Sequence, residues 1–291
     1  MARPLPRLLR LVLSLAVLGL CLSWAVGALL VRPTPSAVPP SAPPALDLQL
    51  GTADGLTIAA TYRPGRFPNS PGVLLLHGNG ASRAATAPNA AWLAAQGYAV
   101  LAIDFRGHGR SSRARHSFGL FESRDAEAAF AWLKRRQQGA PVAAVGISLG
   151  GAAALLGERG PLPADALVLQ AVYPDIRRAI GNRIAALATP VPAALLEPLL
   201  SYQSRLRFGV WPSRLSPLAA ARLYKGPVLV VGGGADRYTP PEEARALFAA
   251  LPGPKRLWIA PGLAHAEVSD VATPEYRARL LAFLHDTIGP P

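Results

Sequence analysis

The chain has 291 residues, enough for one large domain or two small ones. Its hydrophobic fraction of 51% and positive mean hydropathy exceed what a soluble domain requires, so part of the excess is assigned to a membrane segment. The formal charge is +13, yet no basic run interleaved with aromatics argues for nucleic acid, and the one cysteine, Cys21, excludes an intrachain disulfide and a cysteine-based metal site.

At the N-terminus Arg3, Arg7 and Arg10 precede an uncharged run of 21 residues from Leu11 to Val31. As a helix such a run spans about 30 Å, the thickness of a hydrocarbon core. Residues 1–31 therefore read as a signal-anchor or a signal peptide. Cleavage would fall after small residues such as Ser23–Ala25 or Ala25–Gly27. The run continues through Leu29, Leu30 and Val31, which favours a retained anchor, and Leu20 before Cys21 argues against a lipoprotein signal. Either way the arginines stay inside and the remainder lies outside the cytoplasm, membrane-anchored or exported to a periplasmic or secreted location. Residues 32–45 hold six prolines in fourteen positions and predict an extended spacer, with the globular domain at 46–291.

From Leu46 strand-like and helix-like stretches alternate. "LDLQL" and "LTIAATY" predict a hairpin around Asp54-Gly55. "GVLLLHG" (72–78) and "YAVLAIDF" (98–105) flank a helix over 85–97. The charged helix 122–138 carries a capping-type serine at Ser123. A strand to Val145, a helix from Leu149, the strand "ADALVLQAV" (164–172), "PVLVVGG" (227–233), a helix from Pro241 to Leu251, "KRLWIAPG" (255–262) and a last helix over 274–287 follow. Strands apolar on both faces and alternating with helices predict a mostly parallel sheet covered on both sides.

Within "PVAAVGISLGGAAALL" a serine sits between Gly146 and Gly150 where a buried strand meets a helix. A turn this sharp strains the serine backbone and leaves no room for neighbouring side chains, while lifting the Ser148 hydroxyl above the sheet edge. Serine is a weak nucleophile without a base and a group to hold that base. Of five histidines, His265 in "APGLAHAEV" lies just past the final strand. His77 adjoins Gly78 in a turn, His108 and His116 sit in an arginine-rich loop, and His285 is on the outer face of the last helix. Asp236 in "GGGADRYTPPEEA" is the acid, preferred over Asp175. The order Ser148, Asp236, His265 puts each residue after a strand on one edge of the sheet. The developing oxyanion needs amides: those of Leu149 and Asn79 are the candidates, and His77 then fixes the Gly78 turn.

The pieces "LLLHGNGASR", "AIDFRGHGRSS", "GISLGG", "GGGADRYTPPEEA" and "PGLAHAEV" resemble the α/β-hydrolase superfamily, and within it the serine aminopeptidase S33 and BEM46-like hydrolases. The resemblance implies an α/β-hydrolase fold: an eight-stranded, mostly parallel sheet with helices on both faces and a small helical lid after the sixth strand. It also implies no cofactor and a Ser148–His265–Asp236 triad, with Asp104, Arg106 and Gly107 as a structural turn. The lid falls at 174–222, where seven arginines face Asp175 and Glu197 among apolar residues. The segment reads as a small helical cap with a solvated basic face; the alternative, given its charge beside an anchor, is that it lies against anionic lipid and admits acyl chains. The expected activity is hydrolysis of a carboxylic, thioester or lipid acyl ester through an acyl-enzyme. A peptidase or amidase, an acyltransferase and a non-catalytic hydrolase-like protein stay open as alternatives.

Overall fold

The computed structural model describes residues 6–187, 192–265 and 273–291. Arg3, residues 188–191 of the expected lid and the end of the "PGLAHAEV" stretch lie outside them. Eight strands form one sheet: β1 (Leu46–Gly51), β2 (Thr57–Arg63), β3 (Gly72–Leu76), β4 (Ala99–Ile103), β5 (Val142–Ile147), β6 (Ala166–Gln170), β7 (Val228–Gly233) and β8 (Lys255–Ala260). Their spatial order is β8-β7-β6-β5-β3-β4-β2-β1. The β1–β2 and β2–β4 pairings are antiparallel and the rest parallel.

The central strands read as unbroken apolar runs because both faces are covered. Leu74, Leu76, Leu101 and Ile103 point into one core, whereas Val73, Leu75, Val100 and Ala102 point into the other. The first core is closed by helices α3 (Glu122–Arg136), α4 (Leu149–Leu155) and α9 (Pro241–Ala250), the second by α2 (Arg83–Ala95) and α10 (Pro274–Ile288). Each fully buried aliphatic side chain contributes roughly 1.5–3 kcal/mol, so this double-sided packing fixes the strand ends that carry the site.

Between β6 and β7 the alternation gives way to α5 (Ile176–Ala186), α6 (Ala193–Ser201), α7 (Gln203–Phe208), a short turn at Pro212–Arg214 and α8 (Pro217–Ala221). This insertion has a small core of its own, built from Ile176, Ile180, Ile184 and Leu215 with Leu120. Helix α1 (Arg7–Leu30) is long and apolar enough to cross a membrane. Its far end is not free: Val31 O accepts from His116 N at 2.9 Å, and Thr34 N donates to Gly107 O at 2.7 Å. Thr34–Pro35 thereby add a short parallel ladder to His108–Gly109, so the proline-rich stretch is tied to the domain at its start.

Ser123 is not the cap of α3. That helix begins from Phe121, and Ser123 lies in its first turn with Oγ donating to Leu120 O at 2.6 Å. The buried Glu122 carboxylate organises the entry instead, accepting from Ser117 N at 2.8 Å, Ser117 Oγ at 2.5 Å and Gly119 N at 2.9 Å.

Candidate active site

Strand β5 runs through the middle of the sheet, every residue buried, and delivers Ser148 to its carboxyl edge. There the serine adopts φ 49° and ψ −106°, a conformation that costs a non-glycine residue about 1–3 kcal/mol. Its N–H donates to Gln170 O at 2.8 Å and its carbonyl accepts from Ala152 N at 3.0 Å, which pin the turn from both sides. The flanking glycines are there for space. A Cβ on Gly146 would lie 2.5 Å from Gly151 N, and one on Gly150 would lie 2.6 Å from the Leu76 carbonyl carbon. Leu149 opens α4, so its N–H belongs to the helix's first, internally unpaired donors and lies at the positive end of the helix.

Asp236 follows β7 and is 3% exposed. Its Oδ1 accepts from the N–H groups of Tyr238 and Thr239, each at 2.8 Å. Its Oδ2 accepts from Thr239 Oγ1 at 2.5 Å and from His265 Nδ1 at 2.7 Å. Burial by itself pushes this carboxyl up, but the bonds from His265 and Thr239 outweigh it and hold Asp236 below the usual carboxylate range. A proton on His265 Nδ1 leaves Nε2 as the ring's acceptor. His265 and Ser148 line one cavity of about 610 Å³, together with Asn79, Arg183, Leu187 and Tyr238. The Tyr238 ring stands edge-on to His265, 5.5 Å between centroids, and Arg183 lies 5.3 Å over the Tyr238 ring. A second, narrower cavity of about 80 Å³ leads inward from Ser148, Leu149 and Asn79 between apolar side chains.

The structure thus gathers Ser148, His265, Asn79 and Leu149 around adjoining cavities, with Asp236 behind the imidazole. Asp175 is used elsewhere, as the N-cap of α5, where it accepts from Arg178 N at 2.9 Å. The other histidines near the sheet edge are structural. His77 Nε2 accepts from Phe105 N at 3.1 Å and its Nδ1 donates to Gly78 O at 2.7 Å. His108 Nε2 accepts from Gly80 N at 3.1 Å and stacks on His116 with 3.9 Å between centroids. His77 and His108 together shape the 78–80 turn that carries Asn79. In the arginine-rich loop His108 and His116 are buried, at 0% and 1% exposed. Burial drops His77 to about 4 and His108 to about 3, so both stay neutral. Asp104 and Arg106 serve the same scaffold: Asp104 pairs with Arg83, and Arg106 with Asp125 and Asp54.

Thr239 and Arg183 had no signal as site residues in the sequence. A threonine before two prolines reads as a helix start, and an arginine in a basic helical insertion reads as solvated. The Asp-x-x-Thr spacing lets one carboxylate accept from residues two and three positions on, but it is as common in ordinary turns and does not by itself mark a site residue.

The pattern of the family described as "Serine aminopeptidase, S33" matches residues 69–210, from the approach to β3 through the Ser148 turn to just past α7. Over 239 residues the chain is 33% identical to the uncharacterized protein Rv2307c of Mycobacterium tuberculosis, covering 79% of this chain and 78% of that one. This chain is an α/β-hydrolase. The uncharacterized protein YqkD of Bacillus subtilis is 28% identical over 191 residues, covering 65% of the chain and 62% of YqkD. Among solved structures the esterase Pf2001 of Pyrococcus furiosus superposes with a TM-score of 0.71 over 89% of this hydrolase and 99% of its own chain, at 23% identity, which establishes the shared fold.

Proposed function

We propose that this α/β-hydrolase cleaves carboxylic esters with an apolar acyl group through an acyl-enzyme, using Ser148 as nucleophile, His265 as base and Asp236 as the carboxylate that orients it. The observation carrying this reading is a serine at a strained elbow opening into the cavity lined by His265, whose Nδ1 is bonded to a buried carboxylate. Ser148 Oγ attacks the carbonyl carbon while its proton passes to His265 Nε2. The amides of Leu149 and Asn79 stabilise the tetrahedral oxyanion. As it collapses the ester C–O bond breaks, and the departing alkoxide takes the proton from His265. Water then attacks the acyl-enzyme, giving one proton to His265, and the acid leaves as Ser148 recovers its proton.

Two features favour an ester over a peptide with a free amine. Among the described residues lining the two cavities there is a cation, Arg183, and no carboxylate to receive an ammonium group. Glu197 and Asp175, the acids of the insertion, face a different cavity, Glu197 held by Arg177 at 2.9 Å and Asp175 capping α5. Helices α5–α8 act as the lid. The chain is held in the membrane by α1 with the hydrolase domain outside the cytoplasm; support for retention of α1 is that Ser23, Trp24 and Gly27, around the possible cleavage positions, pack on the lid.

The test compares p-nitrophenyl butanoate with alanine p-nitroanilide on the full chain in detergent micelles. The ester is expected to be preferred in kcat/KM by about a hundredfold or more. A faster anilide would replace this reading with a peptidase.

A further inference from the structure

The end of α1 does more than touch the lid. Three cavities follow one another along it. The narrow one behind Ser148 has Leu30 in its wall, beside Phe118, Ile176 and Ile180. Those same four residues line a second space, a constriction of about 20 Å³ that also meets Gly27 and Gln203. Gln203 in turn lines a third cavity, about 560 Å³, between Leu20, Trp24, Leu199 and Leu206 on the flank of α1. The constriction is much smaller than the spaces on either side, and Gln203, which lines both it and the outer cavity, stands between them. Gln203 Nε2 donates to Ser23 O at 2.9 Å and to Leu199 O at 2.8 Å, while its Oε1 accepts from Arg207 Nε at 2.9 Å. Gly27 makes room for that side chain: a Cβ there would lie 2.8 Å from Gln203 Cδ.

The outer cavity opens on the side of a membrane-length helix. About 20 apolar residues are needed to cross the hydrocarbon core, and α1 has 24 residues, the last third of them packed on α6 and α7. The lid helices therefore reach down to the bilayer surface. Their outward side chains agree, with Leu195 65%, Leu206 79% and Trp211 57% exposed. Arg207 lies 3.8 Å over the Trp24 ring, at the level where aromatic and basic residues meet lipid headgroups.

We propose that the last two turns of α1 form one wall of an acyl-chain passage running from the bilayer, past Gln203, to Ser148, so that the substrate is the acyl ester of a membrane lipid drawn in sideways. The proposal rests on the ester-hydrolase reading above. Leu30 sets which chains fit, because it lines both the pocket behind the nucleophile and the constriction. Gln203 is the gate: turning its side chain out of the constriction exchanges backbone carbonyl partners for the outer cavity and joins the three spaces.

The experiment uses the full chain in phosphatidylcholine nanodiscs, with two readouts. The first is the ratio of kcat/KM for p-nitrophenyl dodecanoate to that for the acetate. In Leu30→Trp this ratio is expected to fall about tenfold or more, the size of effect produced by a poorly fitting hydrophobic pocket, and in Leu30→Ala it is expected to hold or rise. A folding defect lowers both rates together and leaves the ratio unchanged, and an unchanged ratio in Leu30→Trp overturns the passage. The second readout needs no turnover: a phosphatidylcholine with a diazirine in mid-chain is expected to crosslink Phe118, Ile176 or Ile180 from within the nanodisc. Crosslinks confined to the outer cavity, with none inside Gln203, would overturn supply from the bilayer even if soluble long-chain esters are cleaved. Failure of the underlying reading looks different: no ester of any length is turned over by the unmodified chain, while the inner crosslinks still form.

Discussion

At the scale of single residues, the Asp236 carboxylate is held by a side chain that no motif marks. Thr239 Oγ1 donates to Asp236 Oδ2 and stands 3.2 Å from His265 Nδ1, so it fixes the oxygen to which the imidazole is bonded. Replacing Thr239 by valine removes one charge-assisted hydrogen bond, worth on the order of 1.5–3 kcal/mol, and kcat for an ester is expected to fall about tenfold or more with KM held. Thr239→Ser keeps the hydroxyl and is expected to stay near the unmodified rate, a rescue that a merely structural threonine would not show. Equal rates in the valine and serine variants would contradict the role. That Ser148, Asp236 and His265 would share one edge of the sheet was legible because each follows a strand and two of them adjoin glycine-permitted turns. Thr239 was not, since its contribution depends on which way a hydroxyl points.

At the scale of elements, the turn between β5 and α4 is tightly constrained by the strand beside it. Gly150 packs against the backbone of β3, and its Cβ would meet Leu76 carbonyl and Cβ atoms within 2.8 Å. Because β3 also leads into the Asn79 turn, relief cannot come from moving a flexible side chain. Gly150→Ala is expected to cost about 1–3 kcal/mol of stability, seen as a lower urea midpoint, and to lower activity further by displacing the Ser148 turn. A midpoint equal to that of the unmodified chain would contradict the packing. Alternation of apolar runs with helices was enough to read the order and approximate limits of the strands, since burial on both faces writes a continuous pattern. Helix entry was less legible. Ser123 had the composition of a cap, but the helix starts two residues earlier, where the buried Glu122 carboxylate binds the Ser117 and Gly119 amides of the approach, and the Ser123 hydroxyl donates back to Leu120 O.

At the scale of the molecule, three buried histidines beneath the Asn79 turn make stability depend on pH. His77, His108 and His116 are all pushed below 6.5, to about 4 and about 3 for the first two, chiefly by burial. The unfolded chain binds protons at these sites as pH falls through about 6.5, and the folded chain does not. Stability therefore drops on acidification, by up to about 1.4 kcal/mol per pH unit for each of His77 and His108 until about 4 and about 3 are reached, and His116 acts in the same direction. Asp125, raised to about 6 by burial, works in the opposite sense between about 3.8 and 6 and offsets part of that loss. The net expectation is a lower urea midpoint at pH 5.5 than at pH 7.5; a level or rising midpoint would contradict it. The sequence carried no sign that these rings stack, nor that α1 docks on the lid. That docking joins Ser23 to Gln203 and Trp24 to Arg207, pairs separated by about 180 residues, through polar side chains whose identity does not announce a partner.

The most direct test of the account is labelling by a fluorophosphonate, with the modified residue located by peptide mass spectrometry. The account predicts a single adduct on Ser148, formed about a thousandfold or more slowly in His265→Ala. An adduct on another residue, or labelling of Ser148 at the same rate without the imidazole, would contradict it.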